Sequence, residues 1–194
     1  KKTILVECCT PPTMVMVNGE TCSDKTYFAD ITLDPPNSTL EWTVVNANGV
    51  LGASSGAGST FSQTLTNTSN TSKVVTYSVI PISPTGCRGE AQLLYVTVLP
   101  AVIANAGPDK SSCPGATVTI GGNPTASGGA GAPYTILWNT GDVDPNIMVT
   151  PSLTTTYTVT VTDASGCEKI DEVTVTVSGT LEVNITPDPA EFCF

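Results

Sequence analysis

Hydrophobic and polar residues alternate in short runs along the chain, with Thr, Ser and Asn at many of the polar positions. Residues 117–120, 157–161 and 173–177 show the pattern most clearly, because every second residue there is Val, Ile or Tyr. A period of two residues predicts strands with one buried and one solvated face. The runs recur at intervals of roughly 8 to 12 residues, broken by Gly, Pro, Asn and Asp, which indicates a β-sandwich protein. No apolar pattern of helical period is sustained.

The runs predict six strands in each half of the chain. The predicted strands lie near residues 13–17, 27–33, 40–46, 61–66, 74–81 and 91–99 in the first half, and near residues 102–106, 116–120, 135–139, 146–149, 155–162 and 172–177 in the second. Tyr77 precedes Cys87 by ten residues, and Tyr157 precedes Cys167 by the same interval. A repeat of about 80 residues predicts tandem modules.

The repeat divides the chain into four parts. We expect one sandwich in residues 11–100 and a second in residues 101–179. Residues 1–10 resemble the end strand of a preceding module, or a donor strand, followed by a linker. Residues 180–194 resemble the start of a following module. The predicted linkers are short, so we expect neighbouring modules to stack end to end.

Each half carries one tryptophan at its predicted third strand, Trp42 and Trp138. The order Cys, Trp, Tyr, Cys holds in both halves, and the tyrosines are Tyr77 and Tyr157. Large aromatic side chains at these positions fill the space between two sheets. We expect all four in the cores, although an exposed tryptophan that stacks on a sugar is an alternative.

The charge balance excludes several functions. The net charge is −10 and there is no histidine, so nucleic acid is an unfavourable partner and the commonest general base is missing. Carboxylate pairs such as Asp142 with Asp144 fit solvated turns better than a glycosidase cleft. We expect a non-catalytic protein. No apolar run reaches the roughly 20 residues that span a bilayer, so membrane insertion is not expected.

The second half resembles the PKD family of immunoglobulin-like domains. Residues 104–109 (Ala-Asn-Ala-Gly-Pro-Asp) match the family's opening, and residues 156–163 (Thr-Tyr-Thr-Val-Thr-Val-Thr-Asp) match its closing strand. Residues 138–142 (Trp-Asn-Thr-Gly-Asp) resemble its Trp-x-x-Gly-Asp signature. This chain departs from the family at Asn139 and Thr140, where Asp and Phe are usual. The fold implied is two tandem immunoglobulin-like, PKD-like sandwiches.

The cysteine-bearing version of these motifs resembles repeats in giant surface proteins of the Bacteroidota, including gliding-motility adhesins exported by the type IX pathway. Residues 41–43 and 61–68 in the first half resemble another PKD-like repeat of such proteins. The resemblance implies a structural or adhesive segment of an extracellular surface fibre or adhesin stalk. Its partners would be neighbouring modules or subunits, with surface glycans or proteins as further candidates. The alternative is a pair of accessory modules, binding carbohydrate or protein, on a secreted hydrolase.

Seven cysteines indicate an oxidising compartment. Pairs within each domain, Cys22–Cys87 and Cys113–Cys167, would copy antibody domains. In an immunoglobulin sandwich, however, strand B begins at the end opposite to the F–G turn. A strand of about 17 to 20 Å would then separate cysteines whose Cα atoms must lie within about 7 Å.

The pairing that we favour runs between domains instead. It joins Cys22 to Cys167 and places Cys87 beside Cys8 or Cys9. It leaves Cys113 and Cys193 for partners outside these domains. Pairing within each domain remains the alternative.

No cofactor is expected. Four carboxylates near predicted turns offer hard oxygen ligands, so calcium is possible although no closed motif is visible; they are Asp109, Asp142, Asp144 and Asp163. Zinc is disfavoured because the chain has no histidine and no paired C-x-x-C spacing.

Overall fold

The computed structural model describes residues 9–179, which form β-strands joined by turns. Within this range no helix is long and apolar enough to cross a membrane. The predicted segments at residues 1–8 and 180–194, with Cys8 and Cys193, lie outside the described residues. The strands are β1 (Thr13–Met16), β2 (Gly19–Thr21), β3 (Lys25–Phe28), β4 (Ile31–Asp34), β5 (Thr39–Asn46), β6 (Gly56–Gly58), β7 (Ser62–Leu65), β8 (Lys73–Ile82), β9 (Gln92–Val98), β10 (Val102–Ala104), β11 (Lys110–Ser112), β12 (Val118–Ile120), β13 (Ala126–Gly128), β14 (Thr135–Trp138), β15 (Ile147–Val149), β16 (Thr155–Thr162) and β17 (Glu168–Val177).

The first nine strands form a five-stranded sheet, in the order β2-β9-β8-β5-β6, and two strand pairs, β1–β4 and β3–β7. β2 runs parallel to β9, with Thr21 opposite Val98. Five strand pairs of this half are antiparallel: β1–β4, β3–β7, β5–β6, β5–β8 and β8–β9. Buried residues alternate along β8, where Val75, Tyr77 and Val79 are fully inaccessible, so this sheet has one inner face.

Aromatic rings form the centre of the hydrophobic core in the first half of the chain. The Phe61 ring lies edge-on to Tyr77 at 4.9 Å, to Trp42 at 5.2 Å and to Tyr27 at 6.4 Å between centroids. Edge-to-face contacts at these distances stabilise a core beyond the burial of the rings. Phe61 is 1 % exposed, so we expect its truncation to be costly.

The remaining eight strands repeat the arrangement of the first nine, except that β6 has no counterpart. A four-stranded sheet runs β11-β17-β16-β14, beside the pairs β10–β13 and β12–β15. β11 lies parallel to β17, with Ser112 opposite Val177. The buried side chains of β16, Tyr157, Val159 and Val161, alternate with threonines.

The all-β, immunoglobulin-like sandwich class is confirmed, although the predicted strands differ from the observed ones in places. The run at 27–33 divides into β3 and β4, and four strands had no predicted counterpart: β2, β6, β11 and β13. Each of the four has three residues, rich in Gly, Ser, Ala or Thr. A run this short and small-sided shows no apolar period.

Contacts divide the chain into two compact units that are discontinuous in sequence. The first unit extends to Ile103 and includes Ser127–Thr135 and Val161–Lys169. The second comprises Ala104–Ala126, Ile136–Thr160 and the residues from Ile170 onward. The division into sandwiches at residues 11–100 and 101–179 stays a prediction.

Candidate functional site: the cysteine-bearing turns

Two cysteines begin turns of the same construction, one in each half of the chain. We call residues 22–25 the Cys22 turn and residues 113–116 the Cys113 turn. The Lys25 N–H donates to the Cys22 carbonyl at 3.3 Å, and the Ala116 N–H donates to the Cys113 carbonyl at 3.1 Å. The third residue has a positive φ in both turns, 64° at Asp24 and 72° at Gly115. Each turn therefore reverses the chain in the same way.

The two turns also occupy the same place in their sheets. The Cys22 turn follows β2 and the Cys113 turn follows β11, the two strands that run parallel to the last strand of their sheet. The N–H of the third turn residue donates to a neighbouring carbonyl in both cases, from Asp24 to Leu65 at 2.8 Å and from Gly115 to Pro151 at 2.9 Å. Cys113 is thus the structural counterpart of Cys22.

A second pair of turns ends in the other two repeated cysteines. We call residues 83–87 the Cys87 turn and residues 163–167 the Cys167 turn. The Ser83 N–H donates to the Cys87 carbonyl at 2.8 Å, and the Asp163 N–H donates to the Cys167 carbonyl at 3.0 Å. The residue before each cysteine is a glycine with φ of 86° or 81°, a conformation that glycine adopts without steric cost.

A side-chain oxygen caps each of these turns. Ser83 Oγ accepts from the Cys87 N–H at 2.9 Å, and Asp163 Oδ1 accepts from the Cys167 N–H at 2.9 Å. Asp163 Oδ1 also accepts from the Ser165 N–H, and its Oδ2 accepts from the Ala130 N–H at 2.7 Å. Asp163 is only 6 % exposed, and amide donors satisfy a carboxylate in such a position.

Three of the four candidate calcium ligands, Asp109, Asp142 and Asp163, bond other groups through their carboxylates. Asp109 Oδ1 accepts from the Thr174 N–H at 2.8 Å, and Asp142 Oδ2 accepts from the Thr140 hydroxyl at 2.7 Å. Over residues 9–179 no group of three or more Cys, Asp or Glu side chains is arranged to hold a metal.

Disulfides join the two kinds of turn. Cys22 is bonded to Cys167, with Cα atoms 5.6 Å apart, and Cys9 is bonded to Cys87, with Cα atoms 5.7 Å apart. Both separations lie in the usual range for a disulfide. Cys87 and Cys167 are 4 % and 3 % exposed, whereas Cys113 is an exposed free thiol in the part of the chain that the structure describes.

The register explains why Cys22 is not bonded to Cys87. Cys22 directly follows Thr21, which lies opposite Val98 at the last residue of β9, while Cys87 precedes the first residue of that strand. Seven residues of strand are roughly 23 Å long, which exceeds the reach of a disulfide. The alternative pairs within each half are not formed in the described structure.

A groove of about 900 Å³ adjoins the Cys9–Cys87 disulfide. Its walls include Pro11, Asp34 and the Cys87 turn. Hydroxyl groups, proline rings and a carboxylate line it. None of its lining residues is aromatic, whereas aromatic side chains are common in small-molecule sites.

The four aromatic side chains singled out in the sequence are buried. Trp42, Trp138, Tyr77 and Tyr157 are between 0 % and 8 % exposed. Trp42 Nε1 donates to the Ser54 carbonyl at 3.1 Å, and Trp138 Nε1 donates to the Asp144 carbonyl at 3.0 Å. Buried indoles with paired N–H groups are not open to a sugar ring.

Tyr77 differs from the other aromatics in one respect. Its hydroxyl is buried and has no hydrogen-bond partner among the described residues. Desolvation raises the pKa of Tyr77 to about 12, because burial disfavours the phenolate.

Sequence reasoning missed the capping roles of Ser83 and Asp163. A signal existed, because each lies four residues before its cysteine and three before the glycine. A Ser or Asp that begins a tight turn commonly bonds backbone N–H groups a few residues on. The repeated spacing could therefore have predicted both caps.

Comparison with known proteins gives a family match for part of the chain. Residues 19–102 match the family model of a PKD-like domain. The match lies in the first half, although the motifs described above are closer to the family in the second half. None of the curated proteins matches the chain.

The similar solved structures are remote. SGBP-B of the Bacteroides ovatus mixed-linkage glucan utilization locus, in complex with a mixed-linkage heptasaccharide, is 15 % identical with a TM-score of 0.32; the alignment covers 87 % of this chain and 48 % of that one. Fibronectin(III)-like modules of Clostridium thermocellum CbhA are 12 % identical with a TM-score of 0.31, covering 86 % and 95 %. The D00-D0 domain of Intimin is 12 % identical with a TM-score of 0.32, covering 86 % and 99 %. This chain thus spans about half of the glucan-locus protein.

The PKD-like match, the immunoglobulin-like fold and the disulfides fit an extracellular structural or binding module. PKD-like and immunoglobulin-like domains are typically non-catalytic modules.

Proposed function

We propose that this chain is a structural and adhesive repeat segment of an extracellular bacterial fibre or adhesin stalk. The observation that carries the proposal is the pairing of the two repeated turn types by the Cys22–Cys167 disulfide. A Cys22-type turn in the first half is bonded there to a Cys167-type turn in the second half. In a longer array the same bond would recur and fasten each module to the next.

The turns are suited to that task because backbone and side-chain hydrogen bonds close them. Asp163 caps the Cys167 turn and also bonds Ala130, so three amide groups hold the turn that presents Cys167. A disulfide between two pre-shaped turns adds little ordering cost when it forms, and it resists extension and proteolysis. The mechanism of such a stalk is mechanical, with neighbouring modules of the same protein as its partners.

The test compares the chain with its Cys22→Ser variant by small-angle X-ray scattering and limited proteolysis. We expect a single, narrow distribution of dimensions for the unmodified chain. The variant should show a broader distribution and faster cleavage near residue 100. A chain whose two halves already move independently when Cys22 and Cys167 are bonded would contradict the proposal.

Disulfide mapping is the direct check on connectivity. Non-reducing digestion and mass spectrometry of the natural protein should yield a Cys22–Cys167 peptide pair. A Cys113–Cys167 pair would remove the basis for fastening between modules.

One observation favours the alternative, an accessory binding module of a secreted hydrolase. On the outer face of the five-stranded sheet, Leu93 and Tyr95 are 49 % and 41 % exposed. They lie opposite Ser78 and Thr76 on β8. An exposed aromatic beside hydroxyl groups can contact a glycan. Glycan binding that is lost in Tyr95→Ser, at unchanged stability, would support this alternative.

A further inference from the structure

We propose that Cys113 is the attachment point for a further repeat unit of the same kind. It would be bonded there to the cysteine of a turn equivalent to the Cys87 and Cys167 turns. This inference rests on the proposed function and assigns it a specific atom and a specific partner.

The first argument is the bonded counterpart of Cys113 within the same chain. The Cys22 and Cys113 turns share the carbonyl-to-N–H closure, the positive φ at the third residue and the parallel strand that precedes them. In the first of these two turns, Cys22 forms a disulfide with Cys167, the cysteine of a Gly-Cys turn. The same backbone around Cys113 presents its thiol in the same way.

The second argument is that Cys113 forms no disulfide within residues 9–179. Cys113 is exposed and free there, and its turn carries no charged side chain that would repel an incoming turn. The flanking residues Pro114 and Gly115 are small and exposed, which leaves the sulfur accessible. An exposed thiol is a liability for a secreted protein unless it forms a bond.

The third argument comes from the partner turns. Both Gly-Cys turns of this chain are bonded through a cysteine outside their own sheet strands, Cys87 to Cys9 and Cys167 to Cys22. A Gly-Cys turn thus accepts an external cysteine in each instance described. The turn of a further repeat unit would have the same requirement, and Cys113 can meet it.

The bond needs a disulfide oxidant of low molecular weight, such as glutathione disulfide. The Cys113 thiolate attacks one sulfur of the oxidant, which forms a mixed disulfide and releases one thiolate. The thiolate of the partner cysteine then attacks Cys113 Sγ, which forms the new protein disulfide and releases the second thiolate. Two electrons pass to the oxidant, and the two cysteine protons end on its released thiols or in solvent.

The experiment supplies the partner turn from a second copy of the chain. Both copies carry Cys8→Ser and Cys193→Ser. The acceptor copy also carries Cys9→Ser and Cys113→Ser, so that its Cys87 is the free thiol of a Gly-Cys turn. The donor copy keeps Cys113 and the Cys9–Cys87 bond. The copies are mixed in a glutathione redox buffer, and the products are mapped by non-reducing digestion and mass spectrometry.

A matched donor carries Cys113→Ser with Ser111→Cys, which moves an exposed thiol to the adjoining strand β11. We expect the donor that keeps Cys113 to give about tenfold more disulfide to Cys87 of the acceptor than the matched donor gives, because complementary turns raise the effective concentration of the two thiols. Equal yields from the two donors would overturn the inference. Circular dichroism and the melting temperature of each copy check that the variants are folded.

This result is separable from the test of the proposed function. If scattering shows that Cys22 and Cys167 hold the two halves in one arrangement while the two donors react equally, only the role of Cys113 is refuted. If the halves move independently despite the bond, the stalk itself is refuted, whatever the donors yield.

Discussion

Removing the hydroxyl group of Tyr77 should stabilise the protein. Its side chain is 0 % exposed, and its hydroxyl has no hydrogen-bond partner in the described structure. An unsatisfied buried polar group costs about 1 to 3 kcal/mol. Tyr77→Phe deletes that group and keeps the ring, whose centroid lies 4.9 Å from that of Phe61. We expect a gain in the free energy of unfolding of about 1 kcal/mol, at the lower end because the hydroxyl leaves a small cavity that offsets part of the gain.

The assay is equilibrium unfolding in urea, followed by tryptophan fluorescence and circular dichroism. The midpoint should rise with an unchanged m-value, because the surface exposed on unfolding stays the same. The melting temperature should rise by about 2 to 4 °C for a chain of this size. The matched control is Tyr157→Phe at the equivalent position, where the side chain is 8 % exposed and little change is expected.

The buried Tyr77 hydroxyl should also make the stability of the protein depend on pH in the alkaline range. The folded-state pKa of Tyr77 is about 12, above the ordinary value of 10.0. Because the folded state holds this proton more tightly than the unfolded state does, the titration leaves the free energy of unfolding unchanged below pH 10 and lowers it as the pH rises from 10 to 12. Tyr77→Phe should flatten the decline over that window. A loss of more than about 0.5 kcal/mol at neutral pH in Tyr77→Phe would refute the reasoning, since the hydroxyl would then have a partner.

Three further substitutions, two of them with a matched control, test the core, the cap and the disulfide. Phe61→Ala should cost about 3 to 5 kcal/mol in urea unfolding, whereas Phe28→Ala, at a side chain that is 70 % exposed, should cost less than about 0.5 kcal/mol. Asp163→Asn should cost about 1 to 3 kcal/mol, because an amide NH₂ would face backbone N–H donors; a neutral result would contradict the hydrogen bonds described for this side chain. Cys22→Ser should lower the free energy of unfolding by up to about 5 kcal/mol, because the loop-closure entropy of the disulfide is lost. Its control, Cys113→Ser, should leave the melting temperature unchanged. Equal losses of stability in the two variants would count against the described disulfides.

The strands that could be predicted from sequence are those whose apolar residues face a core. β16 coincides with the predicted strand at residues 155–162, because Tyr157, Val159 and Val161 alternate with threonine. β2 and β11 could not be found in this way. They are edge strands held by parallel backbone hydrogen bonds to β9 and β17, and their sequences, Gly-Glu-Thr and Lys-Ser-Ser, carry no apolar period.

Some features of the cysteine-bearing turns could be predicted from the sequence and others could not. The repeated spacing of Tyr77 to Cys87 and of Tyr157 to Cys167 marked the Gly-Cys turns, and topology alone suggested that Cys22 needed a partner outside its sheet. The detailed equivalence of the Cys22 and Cys113 turns was not visible, because Asp24 and Gly115 have different side chains and share only backbone features, a positive φ and an N–H that donates to a neighbouring carbonyl. The backbone conformations of the two turns can be compared only once the turns are seen in the three-dimensional structure.

The two disulfides also set a limit on how far the chain can be stretched. The shortest covalent path from Cys9 to Cys167 follows the backbone only as far as Cys22 and then crosses the disulfide. Thirteen residues at no more than about 3.6 Å each, with one bridge, give a ceiling of about 50 Å. Residues 23–166 lie outside this path. A force that pulls Cys9 and Cys167 apart would therefore act on residues 9–22 and on the Cys22–Cys167 disulfide. With both bridges reduced, the same two points could separate by about 570 Å.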